Sequence, residues 1–249
     1  QELNITAKTL DNRQGVIGQA TEDSATGNQT GTTAPPVTNP EQNSSAQDSS
    51  SITVAEPIDL TPKTFDAGQI QIAQGIHNVS GQILNNADIG LSIQDSIINN
   101  GGAIQLPELQ FNGQSFENQD GQLIAQVVNI TAHNVDNQKG SVIAGESFDL
   151  NAVQVNNTLG RLQSGKNLSL KAPELENSQG QIVAGQQLNI DASQLNNSKG
   201  IIASAESAAV LNADRLNNTE GEILGQNLQL TAQQLLNQQG NIYAAENVQ

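Results

Sequence analysis

Apolar residues recur along this chain with two superimposed spacings. Locally they alternate: Val128 and Ile130, Phe148 and Leu150, Leu168 and Leu170, Leu188 and Ile190, and Leu228 and Leu230 are each separated by one polar residue. Leu3 and Ile5, and Leu109 and Phe111, repeat the pattern. Such alternation marks half-buried strands, and no stretch carries the spacing of an amphipathic helix. Five residues after each full pair comes a further apolar residue, as at Val135, Val155, Leu175, Leu195 and Leu235. Beyond a polar turn comes another, as at Val142, Leu162, Ile182, Ile202 and Ile242. Each copy therefore predicts about three short strands joined by tight turns.

The turn between the last two apolar positions reads Asn-x-x-Gly. Its asparagines are Asn78, Asn99, Asn118, Asn137, Asn157, Asn177, Asn197, Asn218 and Asn237. Its glycines are Gly81, Gly102, Gly121, Gly140, Gly160, Gly180, Gly200, Gly221 and Gly240. An earlier copy spans Asn12 to Gly15. From Gly81 onward the glycines fall 19 to 21 residues apart, and a fixed period of that size means a repeat architecture. Asparagine can bond its own backbone, and glycine is expected to supply the positive φ of the turn. A second bend is expected about five residues past the glycine, at Gly145, Gly165 and Gly185. One copy cannot bury its own apolar residues, but stacked copies can. The prediction is an all-β, right-handed parallel β-helix of about ten rungs of ~20 residues. With rungs ~4.8 Å apart, the rod would be roughly 45–50 Å long, and the turn asparagines would stack as an amide ladder along one edge. A leucine-rich repeat has a similar period, but the leucines here are too few and the β-turn signals too many.

Read in order, residues 1–20 form a first rung, with Leu10, Asn12, Gly15 and Ile17 in phase. The pattern then stops and resumes at Ala67. From Gly15 to Gly81 is 66 residues where about 20 are expected, and the excess of 46 maps to residues 21–66. This insert is rich in Ser, Thr, Gln and Pro, and such a composition cannot offset its ordering entropy by burial. Only Ile52-Thr-Val54 and Ile58-Asp-Leu60 within it suit short strands. Residues 67–249 continue as nine further rungs, disturbed near Gly101-Gly102 and Pro107. Phe111 and Phe116 fall on apolar phases and read as core. Leu3 and Val248 share a phase, so residues 1–249 read as one β-helix segment of a longer array. No secretory leader and no run of transmembrane length is visible.

Composition narrows the function. Aromatics are only 2%, which suits a narrow coil filled by stacked Leu, Ile, Val and Ala. There is no cysteine, which excludes thiolate chemistry and Cys-based zinc sites. A net charge of −16 argues against nucleic acid and anionic membranes as partners. It reads as a solvated surface that keeps a long rod soluble. Other parallel β-helices cleave polysaccharides with clustered Asp, Arg and Lys on one face. The nine bases here scatter over different repeat phases; Lys139 and Lys199 share one but sit three rungs apart, ~14 Å. His77 and His133 differ in phase and cannot easily share a metal. No catalytic, metal or cofactor site is predicted, and the chain is read as not an enzyme. Asn-x-Ser/Thr triplets such as Asn156-Asn-Thr158 follow from the turn composition and are not read as glycan sites.

The rung Gly180-Gln-Ile-Val-Ala-Gly-Gln-Gln-Leu-Asn-Ile-Asp-Ala-Ser-Gln-Leu-Asn-Asn-Ser-Lys-Gly200 resembles the repeat of filamentous haemagglutinin-type exoproteins, approximately Leu-x-Asn-x-x-Gly-x-Ile-x-Ala-x-x-x-Leu-x-Leu-x-Ala. The resemblance covers residues 1–20 and 67–249. It implies a passenger of two-partner secretion, exported by an outer-membrane transporter and folded outside a Gram-negative bacterium as a filament at the cell surface. The function expected is a structural and adhesive shaft whose partner is a receptor on a host cell or a bacterium. The alternative within the family is the shaft or receptor-contacting segment of a contact-dependent growth inhibition protein. A polysaccharide-degrading β-helix enzyme is the reading from another class. The family's secretion domain and its toxin module are not in this sequence.

Overall fold

A computed structural model describes residues 5–18, 70–84, 91–93 and 95–248. The insert expected at residues 21–66 lies outside these residues. Nineteen strands and no helix are found among them. All strand pairings are parallel, each between one coil and the next, and together they form a parallel β-solenoid. From Asn78 to Asn237 the chain makes eight successive steps of 19–21 residues. The rung of Asn12 stacks on the first of them although 66 residues separate Asn12 from Asn78. There Ile5 pairs with Ile70, and Ile17 with Ile83.

The register explains the sequence pattern. Leu162 stands between Val142 and Ile182, Leu168 between Phe148 and Leu188, and Leu175 between Val155 and Leu195. Every one of these side chains is at most 2% exposed. These apolar columns, with that of Leu150, Leu170 and Ile190, fill the coil, and each inner member is covered above and below by its equivalents. A single rung would leave all of them in water, so the burial that stabilises the fold, ~1.5–3 kcal/mol per large side chain, exists only between rungs. Phe111 and Phe116 lie in this core, with ring centroids 6.3 Å apart. In the last described rung the same column is open, and Leu235 is 47% exposed.

Strand breaks have local causes. The coil from Arg161 to Glu176 is three strands, Arg161–Ser164, Asn167–Lys171 and Glu174–Glu176, while Ser141–Asn156 runs unbroken beside all three. Pro173 sits in the second of these breaks, and Pro107 in the break before Glu108–Glu117, which matches the first. Proline has no N–H to give the neighbouring rung, though its carbonyl still accepts. The Pro173 carbonyl accepts from the Ser193 and Gln194 amides, and that of Pro107 from the Gln126 and Val127 amides.

Candidate functional site: the amide ladder and the outer faces

The turn asparagines form one continuous chain of side-chain hydrogen bonds. Each Nδ2 donates to the Oδ1 of the next asparagine, from Asn12 to Asn237, in nine bonds of 2.7–2.8 Å. Asn78, Asn99, Asn118, Asn137, Asn157, Asn177, Asn197 and Asn218 are 0% exposed. Their second Nδ2 proton serves backbone carbonyls: that of Asn177 reaches the Gly180 and Ile201 carbonyls at 3.3 and 3.4 Å. The backbone joins in, since the Asn157 amide donates to the Glu176 carbonyl and the Gly160 amide to the Asn157 carbonyl. Only a side chain with adjacent donor and acceptor can continue such a column while satisfying the buried backbone.

The turn geometry differs from the expectation in one respect. Positive φ falls on the residue before the glycine, as at Leu159 (59°), Gln179 (57°) and Lys199 (57°). In a single turn that place is itself glycine, Gly101 at 62°. The glycine ending the motif is required by space. A Cβ on Gly180 would lie 2.1 Å from the Asn157 carbonyl oxygen of the preceding rung and 2.6 Å from Asn177 Oδ1. Gly185, at the second bend, faces the Gly165 carbonyl oxygen at 1.9 Å from where a Cβ would stand.

A second, half-buried ladder runs beside the first. Asn156 Nδ2 donates to Asp136 Oδ1, Asn196 Nδ2 to the Glu176 carboxylate, and Asn217 Nδ2 to Asn196 Oδ1. The same positions fix the turn from outside: Thr158 Oγ1 donates to Asn156 Oδ1 at 2.7 Å, and Ser198 and Thr219 repeat this bond with Asn196 and Asn217. The hydroxyls of these Asn-x-Ser/Thr triplets are thus part of the turn. The position before the turn asparagine was not singled out from the sequence, although its Asn, Asp and Glu content was the available signal. This ladder borders an open groove of about 980 Å³, lined by amides and by the carboxylates of Glu117, Asp136, Glu174 and Glu176, with Arg215 among them.

Several charged residues pair along the outer faces. Lys166 pairs with Glu146 at 3.0 Å, Lys199 with Glu220 at 3.6 Å and Lys171 with Asp191 at 3.8 Å, each across neighbouring rungs. These pairs are exposed and contribute ~0–1 kcal/mol each. Arg13 donates to the Asp11 carboxylate and holds it down at about 2. Burial pushes the Arg161 guanidinium below its usual range. His77 and His133 are exposed, and no group of three His, Asp or Glu able to hold a metal is found among the described residues. No helix there is long and apolar enough to cross a membrane.

Geometry and sequence thus define a solenoid rod held by amide stacking. The haemagglutinin repeat family matches residues 1–56, 63–172 and 151–249, and the chain belongs to that family. The first match runs past residue 20 into the segment set aside as an insert. No curated protein and no solved structure matches the chain. The family defines a filamentous, adhesin-like shaft segment. Its members are non-enzymatic in general, and typically secreted or held at the cell surface.

Proposed function

We propose that this chain is a stretch of shaft in a large exoprotein that holds binding or effector regions away from the surface of a Gram-negative bacterium. The observation that carries the reading is the unbroken asparagine column, which commits every described rung to axial stacking. A rod built this way gains length with each repeat and needs no partner domain for its core. The net charge of −16 supports it, since like-charged rods repel and stay dispersed. Absence of cysteine suits a chain that is exported before it folds, through an outer-membrane two-partner secretion transporter.

The boundaries follow the same reading: a first rung at 1–20, an extra-helical insert at 21–66 and nine rungs at 67–249. Direct stacking of the Asn12 rung on the Asn78 rung supports an insert that interrupts sequence without interrupting the coil. The test is binding of the purified chain to host epithelial cells and to Gram-negative bacteria, with and without residues 21–66. Binding to host cells supports an adhesive shaft. Binding to bacteria alone points to contact-dependent inhibition. Absence of binding by both forms leaves a spacer and refutes the adhesive part.

A further inference from the structure

The groove beside the second ladder has two walls of different kinds. They are outward positions of one strand per rung, two residues apart, so the walls stand ~7 Å from each other. One wall is the ladder, in register through Glu117, Asp136, Asn156, Glu176, Asn196 and Asn217. Opposite it, Asn134, Gln194, Arg215 and Gln234 are exposed and take no part in the ladder. Four carboxylates line the groove, those of Glu117, Asp136, Glu174 and Glu176, within three rung steps or ~14 Å. Neutral amides hold three of them in place: Asn156 Nδ2 donates to Asp136 at 3.2 Å, Gln154 Nε2 to Glu174 at 2.6 Å, and Asn196 Nδ2 to Glu176 at 2.8 Å. Among the described residues no lysine or arginine pairs with any of the four, although Lys166, Lys171 and Lys199 each sit beside an acid outside the groove. The charges are therefore fixed without being neutralised, and the cations of a ligand meet acceptors already oriented.

We propose that this groove seats an extended, lysine- or arginine-bearing segment of a partner protein, lying along the rod. Charge selects the occupant: four carboxylates against the one cation, Arg215, leave the groove lining at −3. Length agrees with it. In an extended chain alternate side chains stand ~7 Å apart on one side, so the outer lysines of Lys-x-Lys-x-Lys are ~14 Å apart, the span from Glu117 to Glu176. A width of ~7 Å admits a single extended chain and excludes a helix, whose diameter is ~10–12 Å. The amides of Asn134, Gln194 and Gln234 offer both donors and acceptors, as a peptide backbone requires and a bare polyamine does not. The groove shares no residue with the segment 21–66, on which the cell-binding test turns, so the two readings fail separately.

The probe is the peptide Lys-Ser-Lys-Ser-Lys-Ser-Lys, acetylated, amidated and fluorescently tagged, titrated against the full chain by anisotropy at low salt. Glu117→Gln, Asp136→Asn, Glu174→Gln and Glu176→Gln together should weaken binding about tenfold or more. Asp149→Asn, Glu206→Gln, Glu222→Gln and Glu246→Gln together remove the same four charges outside the groove and should weaken it by less than about threefold. Equal losses in the two variants would mean that the peptide reads net charge alone, and would overturn the proposal. Absence of binding by the native chain would overturn it too. A second pair of variants keeps the test decisive if the first unfolds. Arg215→Glu adds a carboxylate to the groove and should tighten binding roughly two- to fivefold, while Lys166→Glu, the same charge change outside it, should not. Equal effects of these two would overturn the proposal. Cellohexaose is the comparison ligand: binding by this neutral sugar with none by the peptide would assign a glycan and overturn the peptide.

Discussion

Replacing Asn177 by aspartate changes almost no volume and removes the donor of three hydrogen bonds. In the native ladder Asn177 Oδ1 accepts from Asn157 Nδ2 at 2.7 Å, and Nδ2 donates to Asn197 Oδ1 at 2.7 Å and to the Gly180 and Ile201 carbonyls. A carboxylate keeps the first bond and turns the other three into oxygen facing oxygen. One buried acceptor left unsatisfied costs ~1–3 kcal/mol, and an uncompensated buried charge ~3–5 kcal/mol. Asn177→Asp should therefore lose about 3–5 kcal/mol at neutral pH. Asn177→Ala, which creates the orphan acceptor without the charge, should lose about 2–3 kcal/mol. Burial raises the folded-state pKa of the introduced carboxyl above its unfolded value of ~3.9. The protonated form can donate, so its stability is present below that value and lost as pH rises through the raised pKa. The assay is urea unfolding followed by β-sheet circular dichroism across pH, with hydrogen exchange to detect opening confined to a few rungs. An aspartate variant as stable as the wild type at neutral pH, or one whose deficit ignores pH, would refute the reasoning.

Two changes in a single turn separate space from backbone conformation. Gly160→Ala puts a Cβ 2.1 Å from the Asn137 carbonyl oxygen and should lower stability by about 3 kcal/mol, read from the urea midpoint. Leu159→Gly, at φ 59° and 48% exposed, should leave stability unchanged or raise it by up to ~1 kcal/mol; a clear loss would mean the leucine side chain matters more than its strain. Arg13→Ala should return the Asp11 carboxyl from about 2 toward its ordinary 3.8, measured by NMR titration. Because the native carboxylate is depressed, its contribution is present above the ordinary value and lost as pH falls toward 2, and removing Arg13 should abolish pH dependence in that window.

The phase of the solenoid is legible in the sequence because each inward position needs an apolar residue at nearly constant spacing. Leu162, Leu168, Leu170 and Leu175 all take core columns that their spacing alone predicts. The rung after Gly200 is harder to read, because its inward pair is Ala209 and Leu211 and the small alanine hides the alternation. The reason for the glycines is not legible. Positive φ and a close backbone approach both select glycine, and only the distance from Gly180 to the rung beside it tells them apart. Val183 is buried although alternation places it away from the core, and its trace in the sequence is the continuous apolar run Ile182-Val183-Ala184. What shields such a face is set by tertiary placement, which no local pattern carries. The half-buried ladder at Asp136, Asn156, Glu176 and Asn196 is obscure for a related reason: its members differ in type, and only stacking makes them one feature.

The measurement that tests the amide ladder most directly is exchange of the asparagine side-chain NH2 protons, resolved by nitrogen-15 NMR with residue assignments. Asn99 to Asn218 should exchange at least about 100-fold more slowly than the exposed Asn151 and Asn212, because their protons are released only when neighbouring rungs part. Exchange at the rate of the exposed asparagines would mean that the column is not a hydrogen-bonded ladder and that the rungs are held by backbone pairing and apolar stacking alone.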